Sequence, residues 1–411
     1  MQALQRVDSA LGGLACALLQ PLRWLPARPQ EHPSRKVLAM KFWGLGSLQL
    51  LTPAVASLRR KHPFAELTFL TLESNREFVE RLGVFDRVLT LDVRGAGWVR
   101  LALRIRKLLA ELRSYDYDIV YDFEFFTRFS AIVALATGAP RRHGFESEKV
   151  WRGSFHTDRF NFNRYWHVAR NFRVLAGGEN GMNVTAYDTK PLRFDERDEA
   201  RAFDVLKSSG VDPDAGFAVL NVNAGELSLE RRWPPSMFIE LAQRLIAEQD
   251  WSIALIGSRS EFDYTEAIRT RIGSPRVGNL AGKLATPELA AVLAQAAVVV
   301  SNDSGPMHVA AAMGAPTLGL FGPETPVMYG PIGLRARALY RPPPCSPCIN
   351  VHDNKRSSCI FGEPQCLVGL SVDEVHEAAV ALADDRGFEL DRAPRRRPRS
   401  DPRGDAAGPR N

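Results

Sequence analysis

VVVSNDSGPMHVAAAMGAPTLGLFGPETP, residues 298–326, carries the information that decides the fold. A run of β-branched residues, Val298 to Ser301, reads as a buried strand. Asn302, Asp303 and Ser304 follow as a turn, and a helix of small residues starts at Gly305 or Pro306. Gly314 ends that helix, Pro316 leads into a second apolar run, Thr317–Phe321, and Phe321-Gly322-Pro323 turns back. This strand–turn–helix–strand order belongs to parallel sheets, whose connections place helix starts at the carboxyl ends of strands. Free N–H groups at such a start bind anions, and the helix dipole adds to the attraction. Gly305 lets a phosphate approach the backbone, and His308 lies one turn further in.

The same grammar extends over most of the chain. Val37–Met40, Leu67–Leu70, Val88–Leu91 and Ile119–Asp122 read as strands, with helices over Leu48–Arg60, Arg76–Leu82 and Val99–Leu112. Residues from Arg141 to about Asp188, rich in Arg, His, Asn and aromatics, read as loops lining a cleft. Beyond Pro191 the alternation restarts with a helix over Glu196–Ser208, a strand over Phe217–Val222, a helix over Met237–Glu248 and a strand over Ile253–Ile256. The expected fold class is α/β, two Rossmann-like doubly wound domains facing across a cleft. The expected divisions are an amphipathic helix and linker (1–33), a first Rossmann-like domain (34–190), a second Rossmann-like domain (191–388) with a Cys-rich loop (342–367), and a basic tail (389–411).

Composition narrows the function. The apolar fraction of 45% and charged fraction of 24% are those of a water-soluble globular protein, and no apolar run reaches membrane-span length. Of the net charge of +6, residues 392–411 carry +5, from seven arginines and two aspartates. The body is therefore nearly neutral, which argues against nucleic acid as a partner. The Pro/Arg/Gly-rich tail reads as disordered. At the amino end, Leu4, Val7, Leu11, Leu14, Leu18, Leu22 and Leu25 form a helical stripe suited to packing on the body or lying on a membrane. A cleaved signal peptide is not expected there, because Asp8 interrupts the apolar run and Arg6 is its lone basic residue.

The string from Asp303 through His308 and Gly314 to Phe321-Gly322-Pro323 resembles the D-S/T-G-x-x-H-x-A-A-A-x-G-x-P…F-G-P signature of glycosyltransferase family 9, the lipopolysaccharide heptosyltransferases and their relatives. Arg231-Arg232-Trp233-Pro234, Gly257-Ser258…Glu261, Asn279-Leu280-Ala281-Gly282 and Tyr117-Asp118…Tyr121-Asp122 agree with it. The resemblance covers roughly residues 35–385. It implies a GT-B architecture and inverting transfer of a sugar, heptose by default, from a nucleotide sugar such as ADP-heptose to a lipid-linked saccharide. It further implies a metal-independent reaction in the cytoplasm, with possible contact to the inner membrane surface. Donor binding is expected from Arg231, Arg232, Glu261, Asp303, Ser304, Gly305 and His308. The basic residues and the helix start would stabilise the leaving diphosphate.

One departure stands out. Where the family's first turn carries an aspartate base, this chain has Ser47, within KFWGLGSLQ. Lys41, Gly44 and Gly46 are kept as cleft residues. A serine is no base without a partner, so Glu124 and then Asp122, at the end of a strand, are the replacement candidates. The alternatives are a catalytically impaired nucleotide-sugar-binding homologue or scaffold, or another GT-B-type enzyme such as an epimerase. Finally, Cys345, Cys348, Cys359 and Cys366 begin with a C-x₂-C pair and admit a structural zinc or iron–sulfur centre, free thiols or a disulfide.

Overall fold

The structure is a computed structural model of the 411-residue chain. It describes residues 2–24, 35–95, 97–146, 150–177, 184–225, 228–349 and 358–384. The basic tail, residues 25–33 of the expected helix and linker, and residues 350–357 of the expected Cys-rich loop lie outside the described residues.

Among the described residues, twelve strands form two six-stranded, wholly parallel sheets. The first sheet holds β1 (Lys36–Met40), β2 (Glu66–Leu72), β3 (Arg87–Leu91), β4 (Ile119–Asp122), β5 (Arg141–Glu146) and β6 (Asp158–Asn161). The second holds β7 (Phe217–Asn221), β8 (Ser252–Leu255), β9 (Val277–Asn279), β10 (Val298–Asn302), β11 (Thr317–Phe321) and β12 (Ala336–Tyr340). The spatial orders are β3-β2-β1-β4-β5-β6 and β12-β11-β10-β7-β8-β9. Both therefore follow one doubly wound order, with the direction of strand addition reversing between β1 and β4 in one and between β7 and β10 in the other. Ligands bind at such switch points, beyond the carboxyl ends of the strands. The central strands are apolar because helices cover both faces: β7, β10 and β11 are buried along their full lengths.

Two expectations need correction. The helix expected over Leu48–Arg60 is two helices, Leu45–Gln49 and Thr52–Lys61, with Pro53 in the first turn of the second. The stretch expected to be loops from Arg141 to Asp188 contains β5, β6 and a helix, Val168–Leu175. β5 reads as polar, RRHGFE, yet most of it is buried. Its polarity is satisfied only in part: the ring nitrogens of His143 are buried without a hydrogen bond. Arg142 donates to the carbonyls of Phe155 and Ala139. His143 stacks on Tyr121 with ring centroids 4.7 Å apart. Gly144 lies under the His156 ring, where a Cβ would come within 2.3 Å of Nε2.

Side chains join the two sheets' domains at several points. Arg81 pairs with Asp198 at 2.8 Å. His167 accepts from Ala169 N through Nδ1, so its Nε2–H donates to the Gly330 carbonyl at 3.0 Å. Closest of all are two helix starts: a Cβ on Gly46 would stand 2.6 Å from His308 Cδ2 and 3.2 Å from Gly305 Cα. No side chain fits there, which gives Gly46 a steric reason to be glycine.

Candidate active site

A cleft of about 1150 Å³ runs between the domains and reaches both switch points. That is ample for a nucleotide sugar together with part of an acceptor.

The first-domain wall is built from β1, β4 and the turns after them. Gly44, at φ 84°, turns the chain after β1. Glu124, two residues past β4, holds that turn: its Oε1 accepts from Phe42 N at 2.7 Å and Trp43 N at 2.9 Å, and Lys41 Nζ lies 3.5 Å away. Lys41 and Glu124 are both buried, and the Lys41 ammonium also sits 5.2 Å from the Phe125 ring centroid. Lys41, Gly44, Gly46, Ser47 and Glu124 all line the cleft. Ser47 thus lies on the same wall as Glu124.

Asp122 does not line the cleft, and its candidacy as a base is corrected. It is completely buried. Arg152 forms an ion pair with it, Ser130 Oγ donates to it at 3.0 Å, and His156 Nε2 lies 3.1 Å from the same carboxylate. Burial pushes the carboxyl up, but Arg152 and the bond from His156 outweigh it and hold Asp122 below the usual carboxylate range. Burial pushes His156 below its ordinary value, against the opposing pull of Asp122. Arg152 also donates to the carbonyls of Thr127, Glu124 and Phe145. Asp122 thus anchors the loop that presents Glu124, and Arg152 and His156 are positioning residues absent from the sequence expectations.

The second-domain wall uses amides. Asn221 Nδ2 donates to Ser301 Oγ at 2.9 Å and Ser304 Oγ at 2.6 Å. Asn223 Nδ2 donates to the Ile256 carbonyl, and Asn302 Oδ1 accepts from Trp233 N. These bonds fix the start of the helix Gly305–Ala312 at the end of β10. Beside it, buried Arg231 donates to the Asp303 carbonyl at 2.8 Å and pairs with its carboxylate at 3.3 Å. Its other terminal nitrogen donates to the Ala224 carbonyl.

Arg231, Glu261, Asp303, Ser304, Gly305 and His308 line the cleft together, with Tyr329 and the two asparagines 221 and 223 that the sequence expectations missed. Burial, with Glu324 and Asp303 nearby, raises the Tyr329 phenol well above its ordinary value, so it is a neutral hydrogen-bonding group. Arg232 separates from its neighbour. It stacks over Tyr264, 4.1 Å from the ring centroid, and lies 3.8 Å from Glu261, outside the cleft lining. Glu261 is partly committed, closing a capping box with Ser258 N at 2.8 Å.

The four clustered cysteines line one small cavity of about 130 Å³ beside Pro323 and Glu230. None of the four is in a disulfide. Burial and the other three sulfurs push the Cys366 thiol up to about 11. Among the described residues no three His, Cys, Asp or Glu side chains stand in a metal-binding arrangement.

The profile of glycosyltransferase family 9 (heptosyltransferase) matches residues 105–357. The chain belongs to glycosyltransferase family 9. Lipopolysaccharide heptosyltransferase 2 of Escherichia coli K12 is 24% identical over 356 residues, spanning 84% of this chain and 98% of that protein. The solved E. coli ADP-heptose lps heptosyltransferase II superposes with a TM-score of 0.66 at 23% identity, covering 85% of this chain and 98% of that one. E. coli heptosyltransferase WaaC, solved with ADP, gives a TM-score of 0.61 at 20% identity over 84% and 99%. The two parallel sheets are thus those of the GT-B heptosyltransferase fold. Family 9 membership turns the shared lining of the cleft into a question of which residue meets which substrate.

Proposed function

We propose that this family 9 protein transfers a sugar, heptose by default, from an ADP-sugar to a hydroxyl of a lipid-linked saccharide, with inversion. The observation that carries this reading is the buried Arg231–Asp303 pair set against the start of helix Gly305–Ala312 on the cleft wall. A diphosphate placed there meets a fixed guanidinium and free backbone N–H groups, both ready for the charge that grows on the leaving group. The polar residues Ser258, Ser260 and Glu261 line the same half of the cleft and suit a ribose. Gly44, Gly46 and Lys41 shape the acceptor side.

Glu124 takes the proton of the acceptor hydroxyl in this scheme. It lines the cleft at the end of β4, and the bonds from Phe42 N and Trp43 N fall on Oε1. Ser47 orients the same hydroxyl. A second reading, a nucleotide-sugar-binding homologue without turnover, is favoured by Ser47 standing in place of an acid.

Calorimetric titration with ADP, UDP, GDP and dTDP, followed by transfer assays, separates the two. ADP is expected to bind tightest, and Arg231→Ala to weaken it at least tenfold, the worth of a charge-assisted bond of about 1.5–3 kcal/mol. Glu124→Gln keeps an acceptor oxygen for the two amides and loses the base. Its expected result is a fall in kcat of about 100-fold or more with ADP affinity unchanged. ADP binding with no transfer by the wild-type protein, across lipid-linked saccharides, sinks the enzyme reading. Absence of binding to any of the four sinks the donor site.

A further inference from the structure

The helix Gln2–Leu19 is fastened to the first domain by one face. Asp8 accepts from Arg128 N at 3.0 Å and Phe129 N at 2.8 Å, capping the helix Arg128–Thr137. Gly12 lies against Arg128, and Cys16 is fully buried with Ala131 and Phe155. With its seat so defined, the helix leaves Leu14 (60% exposed), Leu18 (72%) and, in the turn that follows, Leu22 (44%) facing solvent. Their spacing of four residues puts them on one side. A helix docked only on its own domain carries polar residues there.

A second helix repeats the pattern. Trp98–Tyr115 buries Leu101, Leu108 and Leu112 and exposes Trp98 (66%), Val99 (76%) and Leu103 (57%). It carries Arg100, Arg104, Arg106, Lys107 and Arg113 against one acid, Glu111, which is paired with Arg87. Both helices border the same opening: Asp8, Gly12 and Ala15 from the first, and Trp98, Ala102 and Ile105 from the second, line the cleft. Among the described residues no helix is long and apolar enough to cross a membrane.

We infer that these two exposed stripes form one surface that seats the first domain on a bilayer containing anionic phospholipid. Leucine and tryptophan enter the headgroup boundary while Arg100 and Arg106 of helix 98–115 meet lipid phosphates; Arg104 is held by Asp92. Charge complementarity selects anionic lipid over a neutral membrane. The placement turns the acceptor side of the cleft toward the bilayer, so a lipid-anchored saccharide reaches it without leaving the membrane. This last consequence rests on the proposed transferase reading; the docking surface does not.

Flotation of the full-length protein with phosphatidylcholine vesicles, with and without phosphatidylglycerol, tests the surface. Expected is binding to the anionic vesicles, at least about tenfold weaker to the neutral ones. The double variants Leu14→Ser/Leu18→Ser and Arg100→Glu/Arg106→Glu are each expected to lose about tenfold or more. Circular dichroism and ADP titration check that they remain folded. Brominated lipid is expected to quench the wild-type fluorescence more than that of Trp98→Phe. Wild-type protein that ignores anionic vesicles overturns the proposal. So does binding that both double variants retain, which would place membrane attachment elsewhere on the chain. Vesicle binding with no nucleotide binding would instead keep the surface and refute the donor site.

Discussion

The two switch points have the same topology and opposite chemistry. At β1 and β4 the floor of the cleft is held by buried charges: Lys41 with Glu124, and Asp122 with Arg152 and His156. At β7 and β10 it is held by the amides of Asn221, Asn223 and Asn302, with Arg231–Asp303 as the ion pair nearest the opening. A buried ion pair is rigid only while complete, and removing one member strands the other in a medium that penalises it. An amide network has no net charge to strand. One fold thus solves the same positioning problem twice, and the first solution is the more fragile.

The sharpest way to break this contrast is Arg152→Ala. It leaves Asp122 without its cation and four oxygen acceptors without their shared donor. Urea denaturation is expected to show a loss of about 3–5 kcal/mol. A loss under about 1 kcal/mol would mean water or another cation replaces the guanidinium, and the distinction between the floors would fall.

Acid gives the intermediate effect. His156 titrates below its ordinary 6.5 in the folded protein, so the unfolded chain binds protons first and stability falls as pH drops below about 6.5. Asp122 is held below its ordinary 3.8; its contribution is present above that value and is lost as pH falls further. Half-buried His62 and buried His143, each lowered by burial to about 4, add to the loss between 6.5 and 4. The amide floor adds no comparable titration. Hydrogen exchange at decreasing pH should therefore open β4 and β5 before β7 and β10; simultaneous opening would argue against the comparison. The smallest effect is expected from Asn221→Ala, about 1 kcal/mol in the same urea assay, despite its two short bonds to Ser301 and Ser304.

How much of this could be read from the sequence follows the same division. The amide floor and the helix start lie within contiguous strings, so strand, turn and helix appear in order in residues 298–326. The charged floor is assembled from segments 30 to more than 80 residues apart, and Arg152 sits in the stretch that composition marks as loop. Nothing at Asp122 itself shows that its carboxylate is spent on Arg152. β5 stayed hidden because its buried Arg142 and His143 imitate a surface segment. Adjacent arginines were indistinguishable in the sequence. Only the fold sends Arg231 to Asp303 and Arg232 to the Tyr264 ring. Glu124 was legible because a carboxylate just past a strand end has few places to go but the cleft.

The bond from Asp8 to the helix beginning at Arg128 has a further consequence, in the order of events during synthesis. Chains emerge amino end first, and domains tend to fold as they emerge. When Arg128 leaves the ribosome, the carboxylate that completes its helix has been waiting for 120 residues. The first sheet acquires β4, β5 and β6 only around and after that moment. Capture of the first helix thus coincides with closure of the domain it caps, and the exposed leucine stripe takes its final position before the second sheet has begun.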